Sequence, residues 1–456
     1  MRRSIFQVLF AQGVVLVASV LKSLILPIVL DVDGFAYWQV YVLYSGFVGV
    51  FALGYSDGVY LIYGDHDYSE LPFERLRASI RFYMLTLLIF SVGVCSIAMF
   101  DHDPNHAFAI FFVGVDVFVT CLSGLLLYVL QITNQIKSYS VFVTVDKVAM
   151  IVLIGLILLV NPRPEFRMII VADALTKVLV CAALVVRLKG LFFGPALSIA
   201  EGVRAYVDEA KVGVSLLFAN LTGMLAVNAG RFLVEIFGSK ADYAYYSFGV
   251  SVTNLVLTFV GAVALVIYPN LKRMESKRAL SFFDEVDAAS LKVVGVGFML
   301  YAPSAIFVLT FIPKYEPMLA YLGFMFLAVA GQTKMQLLGN TYYKALREER
   351  RMLFVNIQAV ALFLVIGGLS YLPTKSVTAI AASTALVLLY RAWASENELR
   401  RKLNVERPRK LLIEAVFCTA FVLATLLPVR SVSLIASETV GLCALICASL
   451  FTGSKN

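Results

Sequence analysis

Charge is scarce in this chain. Of its 456 residues, 15% are Asp, Glu, Lys or Arg and 60% are hydrophobic, with a mean hydropathy of +0.86. Soluble domains carry about 25% charged residues. A water-soluble fold of this composition would expose apolar surface that it lacks the polar residues to cover, so soluble architectures are excluded. Histidine is scarcer still: His66, His102 and His106 are the whole supply, and no His-Glu-x-x-His pair occurs. The six cysteines (Cys95, Cys121, Cys181, Cys418, Cys443 and Cys447) fall inside apolar stretches without metal-ligand or redox spacing, which points to helix packing. No Gly-x-x-x-x-Gly-Lys-Ser/Thr loop is present, so ATP hydrolysis by that route is excluded. A nucleophile elbow and a kinase signature are missing too. Alternation of period two, which a membrane barrel requires, is absent. These exclusions leave an all-α polytopic membrane protein that is not an enzyme and needs no cofactor or metal.

An apolar run of about 20 residues crosses the hydrocarbon core as a helix. That criterion predicts fourteen spans, near 5–30, 36–62, 79–100, 107–131, 140–160, 167–187, 212–237, 243–269, 289–312, 317–341, 352–371, 376–394, 411–428 and 432–452. Met1-Arg2-Arg3 opens like a signal peptide, but the apolar run reaches Leu30 without a small-residue cleavage site, so a retained first span is expected. With the N-terminus in the cytoplasm, the loops on that side collect most of the 38 basic residues, Arg391 and Arg400 included. The outer loops hold only Arg163, Arg167, Lys240, Lys314, Lys375 and Arg430. Both termini are therefore expected in the cytoplasm. The net charge of +8 is a topology signal with affinity for anionic lipid, not the mark of a nucleic-acid partner.

The chain also repeats at an offset of 208 residues. Leu9-Phe10-Ala11-Gln12 answers Leu217-Phe218-Ala219-Asn220, and Phe35-Ala36-Tyr37-Trp38 answers Tyr243-Ala244-Tyr245-Tyr246. Tyr60 answers Tyr268 and Thr133 answers Thr341. Spans one to six thus map onto seven to twelve. The expected organisation is a six-helix repeat over 1–188, a cytoplasmic linker over 189–211 and a second six-helix repeat over 212–396. A basic cytoplasmic loop over 397–410 and two extra helices with a tail over 411–456 follow. Within the linker, 196–211 reads equally as an amphipathic helix on the membrane surface or as plain connecting chain. An even number of spans per unit makes the repeats parallel, an arrangement found in secondary transporters.

Ionisable groups inside spans cost a few kcal/mol on insertion scales, so each needs a partner, a cavity or a task. The embedded cations are Lys22, Lys147, Lys177, Arg231 and Lys334. The embedded acids are Asp57, Asp116, Asp146, Asp173, Glu235, Glu414 and Glu438. Asp173/Lys177 and Arg231/Glu235 stand four apart, the spacing of a helical ion pair. Asn220, Asn228, Arg231 and Glu235 form one polar stripe on span seven. Gln12, Ser19 and Ser23 form its counterpart on span one, flanked by Lys22. Because Ser23 answers Arg231 in the repeat register, Lys22 and Arg231 are expected to line one shared cavity, with Gln12, Asn220, Asn228 and Lys334 as further substrate contacts. Asp57, Asp116, Asp173 and Glu235 are the candidates for H⁺ or Na⁺ coupling or for gating. Gln332, Gln336 and Asn340 make a stripe on span ten, and Gly54 and Gly58 around Asp57 allow close helix approach.

The acid-x-acid pairs Asp31/Asp33, Asp65/Asp67 and Asp101/Asp103 leave room for other chemistry. The first resembles the outer acidic site of polytopic glycosyltransferases and polymerases, which need a long outer loop that this chain does not have. The third, beside His102 and His106, reads as a divalent-ion loop or as a solvated turn.

The stretch 28–64, with Gly34-Phe35-Ala36-Tyr37-Trp38-Gln39 and Phe51-Ala52-Leu53-Gly54-Tyr55-Ser56-Asp57-Gly58, resembles polysaccharide biosynthesis proteins. These are O-antigen-type flippases of the multidrug/oligosaccharidyl-lipid/polysaccharide exporter superfamily. Gln131–Tyr139 and Tyr342-Tyr343-Lys344-Ala345 are similar to the same family. The resemblance implies a flippase that moves an undecaprenyl-diphosphate-linked oligosaccharide across the bacterial cytoplasmic membrane. It implies Lys22 and Arg231 as the diphosphate contacts, and membrane lipids, a polysaccharide polymerase and glycosyltransferases as partners. A cation-coupled multidrug exporter of the same superfamily is the alternative. It would favour an acidic or apolar cavity over a basic one.

Overall fold

The computed structural model describes residues 2–64, 66–272, 276–403 and 410–453. Side chains at 2–12, at most positions of 262–281 and at 349, 410–412 and 450–453 are not described, so the side chain of Gln12 lies outside the described residues. All regular structure among the described residues is helical. Two compact units divide the chain, Met1–Leu221 and Thr222–Asn456.

The first unit contains α1 (Arg2–Val29), α2 (Val32–Phe47), α3 (Tyr55–Ile62), α4 (Phe73–Ala98), α5 (Pro104–Ile132), α6 (Ile136–Val160), α7 (Phe166–Arg187) and the first part of α8 (Ile199–Phe237). The second holds the rest of α8, then α9 (Lys240–Lys272), α10 (Ser276–Met299), α11 (Tyr301–Phe311), α12 (Leu319–Lys334) and α13 (Asn340–Ala345). It ends with α14 (Glu349–Thr374), α15 (Val377–Leu403), α16 (Lys410–Thr425) and α17 (Arg430–Gly453). Twelve helical segments among the described residues are long and apolar enough to cross a membrane. Gly13–Val29 and Ile413–Thr425 are shorter apolar helices at the first and thirteenth predicted spans. The chain is a multi-pass all-α membrane protein.

Local chemistry sets the helix starts. Asp31 precedes α2 and its Oδ1 accepts from Gly34 N at 3.1 Å. Asp103 precedes Pro104 at the start of α5 and accepts from Asn105 N at 2.9 Å. Both are N-caps, so these acids satisfy orphan helix donors. Asp101, between α4 and α5, accepts from Asp103 N at 2.9 Å and from the His106 ring. Burial works against its charge, but these hydrogen bonds hold its pKa below the usual carboxylate range. The supposed ion loop is thus a capped turn, and no metal-ligand cluster occurs among the described residues.

Three sequence expectations change. The predicted linker 189–211 is not a linker over its second half: residues 199–211 are the opening turns of α8, continuous with the seventh predicted span. Its buried face carries Ala205, Tyr206 and Glu209. Tyr206 stacks on Tyr55 at 5.1 Å and meets Phe82 edge-on at 5.0 Å. The amphipathic face is therefore spent on protein. Secondly, the second predicted span breaks where Leu53 and Gly54 take positive φ values of 51° and 83°, between a 3-10 turn at Val48–Ala52 and α3. Thirdly, α15 continues to Leu403 through residues assigned to a basic loop, and residues 404–409 lie outside the described residues.

The break at Gly54 serves packing. A Cβ on Gly58 would overlap the Glu209 carbonyl, and one on Gly213 would overlap the Gly54 carbonyl. Backbone thus lies on backbone where α3 meets α8, the close approach that small residues permit. Glu209, fully buried, is held by Tyr63 Oη at 2.8 Å and Arg75 Nε at 3.3 Å.

Candidate functional site

Each unit carries a cluster of charged side chains among its helices, and their charge balances differ. In the first unit, Lys177 on α7 is the hub. Its ammonium donates to Asp116 Oδ2 on α5 at 2.5 Å, to Asp173 Oδ2 at 2.8 Å and to Tyr41 Oη on α2 at 2.9 Å. Tyr41 in turn donates to Asp173 at 2.9 Å. The pairing of Asp173 with Lys177 follows from their spacing on one helix. The third partner, Asp116, is sixty-one positions away in sequence. Asp116 is 1% exposed, and the ammonium is the cation that compensates it there.

Lys22 on α1 is held more loosely. Its ammonium lies 3.7 Å from Asp173 Oδ1 and 5.4 Å above the ring of Trp38. Its side chain keeps 28% exposure and borders a cavity of about 10 Å³ with Ser19, Asp146, Lys147 and Asp173. Lys147 pairs with its neighbour Asp146 at 2.6 Å. Three carboxylates and three ammoniums thus balance here. Lys177 is locked between two acids, whereas Lys22 shares one that is already engaged. Among the cations of this cluster, Lys22 can turn to an incoming anion at least cost.

In the second unit, Arg231 on α8 is 6% exposed, with Nε 3.4 Å from Ser247 Oγ and Nη1 3.5 Å from Asn228 Oδ1. This joins two members of the predicted stripe. Asn220 is half-buried on α8 within the first unit. Glu235 is half-buried one turn beyond Arg231, and Asp57 is 9% exposed in the first turn of α3. Lys334 does not present a bare cation: its ammonium meets Glu414 at 2.5 Å, Glu396 at 2.7 Å and Asp287 at 3.4 Å. Arg400 closes the cluster on Glu396 at 2.7 Å, Asp287 at 2.8 Å and Asp284 at 3.2 Å. Four carboxylates here face two cations. The stripe of Gln332, Gln336 and Asn340 is interrupted, because Met335–Gly339 is a π turn that shifts the helical phase within it.

Arg391, assigned by sequence to the cytoplasmic side, is 2% exposed on α15. It donates to Asn356 Oδ1 at 2.8 Å and to Gln332 Oε1 at 3.3 Å. Sequence reasoning missed Glu396 and Arg400 because the polar run 394–402 looks like a loop, Asp287 because it falls between the predicted spans 243–269 and 289–312, and Arg391 because it was counted with the cytoplasmic basic residues. The available signal was spacing: Arg391, Ser395 and Glu396 recur on one helical face as far as Leu399.

The two arginines should differ in what they hold together. Arg400→Met leaves three acids to Lys334 alone and is expected to lose about 3–5 kcal/mol, the cost of breaking a buried ionic cluster. Arg391→Met orphans two neutral amide oxygens and should lose about 2 kcal/mol. Thermal unfolding of the solubilised variants checks the order; Arg391→Met as the more damaging change would contradict this charge ledger.

No protein-family profile matches the sequence, and no curated protein matches it either. Solved structures do share its fold. The lipid II flippase MurJ in an inward-closed conformation superposes with a TM-score of 0.68 at 11% identity, over 100% of this chain and 99% of that one. An inward-facing multidrug resistance MATE family transporter of the MOP superfamily gives 0.54 at 13% identity, over 86% of this chain and 94% of that one. The eukaryotic MATE transporter AtDTX14 gives 0.54 at 13% identity, over 87% of this chain and 99% of that one. At such identities the likeness establishes the fold.

Proposed function

We propose that this chain is an alternating-access flippase that moves an undecaprenyl-diphosphate-linked oligosaccharide across the bacterial cytoplasmic membrane, both its termini lying in the cytoplasm. The observation that carries this reading is coverage. The lipid II flippase fold accounts for 100% of the chain, whereas the two MATE transporter folds account for 86% and 87%. Lys22 and Arg231 are assigned to the diphosphate. A diphosphate leaving water needs cations in a region of low dielectric, where each contact is worth far more than in solution. Lys22 fits because its hold on Asp173 is long and its side chain remains partly exposed. Asn220, Asn228 and Gln12 are assigned to the sugar or phosphate oxygens as neutral hydrogen-bonding groups. Asp116 and Asp173 are the carboxylates through which H⁺ or Na⁺ would couple. Loading Asp116 would weaken its grip on Lys177, and loading Asp173 its grip on Lys177 and Lys22, which would free an ammonium for substrate. A polymerase and glycosyltransferases of the same glycan would be working partners.

The test is flipping by the reconstituted protein. Charge-assisted hydrogen bonds of this kind contribute about 1.5–3 kcal/mol, so Lys22→Met and Arg231→Met should each slow flipping about ten- to a hundredfold. Thermal stability should fall far less than in Arg400→Met. Wild-type rates in both variants would remove these residues from the site.

The second reading, a cation-coupled multidrug exporter, draws on one observation of its own: the acid excess around Lys334 in the second unit. Export of organic cations without flipping would favour it.

A further inference from the structure

We infer that the loop between α7 and α8, with the first turns of α8, is a docking surface for anionic phospholipid. Arg187 and Lys189 meet the phosphate, and Phe193, Ile199 and Val207 enter the acyl boundary. The leaflet is the cytoplasmic one in the orientation with both termini in the cytoplasm, and the inference stands independently of what is flipped.

Packing sets the depth of this segment. Leu197 N donates to Glu74 O at 3.2 Å, Gly202 lies against Ala78, and Tyr206 meets Phe82 edge-on at 5.0 Å. The contacts advance along α4 and α8 together, so the two helices run side by side in the same direction. Here α4 passes from Arg75, Arg77 and Arg81 into its apolar run, where headgroups give way to hydrocarbon. Residues 193–207 therefore lie at the level of the headgroups and the upper acyl chains.

At that level α8 has two faces with apolar residues. Gly202, Ala205, Tyr206 and Glu209 are buried on protein. Ile199, Val203 and Val207, one turn apart, make a second stripe that is left open: Ile199 is 87% exposed and Val207 39%. Phe193, in the preceding loop, is 73% exposed. Water would leave this surface uncovered, whereas the boundary of a bilayer covers it, as it covers the apolar side of an interfacial helix.

Cations border the same surface. Arg77 Nε donates to Gly190 O at 2.8 Å and Nη1 to Pro195 O at 2.7 Å, which pins the loop to α4. Arg187 and Arg77 both act on the phenol of Tyr68, which lies beside Gly190. Arg187 gives one nitrogen to Gln135 Oε1 at 2.7 Å, and Lys189 makes no hydrogen bond among the described residues. Both side chains are exposed, and neither forms an ion pair among those residues. A phosphate complements such a group of cations. An anionic lipid brings one without the ammonium that a zwitterionic headgroup sets beside it. Zwitterionic lipid would cover the apolar stripe equally well but would offer the cations less. At an anionic surface each Lys or Arg raises affinity about fivefold.

The test places a reporter on the loop. Full-length protein carrying Phe193→Trp, with the wild type subtracted for Trp38 and Trp393, is reconstituted in vesicles of phosphatidylcholine and phosphatidylglycerol in equal amounts. Bromine is placed high on the acyl chains of one lipid or the other. The emission of the added tryptophan should be quenched, and more strongly by brominated phosphatidylglycerol than by brominated phosphatidylcholine. Lys189→Gln should weaken that preference about fivefold. Arg187→Gln combined with Lys189→Gln should erase it while the quenching itself remains. Water-soluble glycerol phosphate, the headgroup without its chains, should change nothing. Lack of quenching by either lipid would place the loop in water and overturn the proposal. Equal quenching by the two lipids, a preference that survives the double variant, or displacement by glycerol phosphate would each overturn it as well.

Discussion

Lys177→Met is expected to destabilise the protein by about 3–5 kcal/mol, the cost of removing one partner from a buried ion pair, and to abolish transport. Asp116, 1% exposed, would lose its compensating ammonium. Asp173 would fall back on Lys22 at 3.7 Å, drawing that cation away from substrate. The double variant Lys177→Met with Asp116→Asn removes both members of the pair and should recover most of the lost stability, since apolar or neutral replacement of a whole buried pair is close to neutral. Transport should not return if Asp116 is, as proposed, a carboxylate that responds to the coupling ion. Thermal unfolding beside flipping by the same preparations separates the two effects. A single variant within about 0.5 kcal/mol of wild type, the range of an ordinary surface change, would mean that Lys177 does not neutralise Asp116.

The second large effect is steric. Gly58→Ala places a methyl group on the Glu209 carbonyl, where neither side can yield because both are main chain. Overpacking a tight contact costs about 1–3 kcal/mol when side chains can adjust, and more is expected when backbones must separate. Folded protein should fall to a small fraction of wild type. Gly124→Ala is the control: nothing lies within 4 Å of its added Cβ, and a helix gains about 1 kcal/mol from the exchange. Yield of monodisperse protein in detergent checks both. Normal folding of Gly58→Ala would rule out backbone contact between α3 and α8.

These two regions show how far the sequence reaches. Hydropathy located nearly every helix because lipid demands long apolar runs, and it found the glycines that let α3 approach another helix. It could not name α8 as the partner, since 199–211 is polar on one face and short of apolar residues. A helix that buries a narrow stripe of Ala205, Tyr206 and Glu209 reads like linker until its neighbours are known. The ion pairs divide in the same way. Asp173 and Lys177 share a helix and were legible from spacing alone. Asp116 joins them only through packing of α5 on α7. Around Lys334 the sequence offered a lone cation, and the structure surrounds it with acids from α10, α15 and α16. Three of those acids or their partners sat in stretches whose polarity placed them outside the membrane. Polarity counted along a chain measures composition, whereas burial depends on which face each residue takes. The stripe on the tenth span failed for a related reason, because one π turn changes the phase that the angular count assumes.

The most direct measurement of the central claim uses sealed vesicles containing the wild-type protein and a fluorescent undecaprenyl-diphosphate oligosaccharide placed in one leaflet. A membrane-impermeant quencher outside follows its movement. The flippase reading predicts that the label changes leaflet at a rate proportional to protein per vesicle, and that an excess of unlabelled lipid-linked oligosaccharide suppresses the movement. A label that stays in its leaflet in vesicles that transport hydrophobic cations would contradict it.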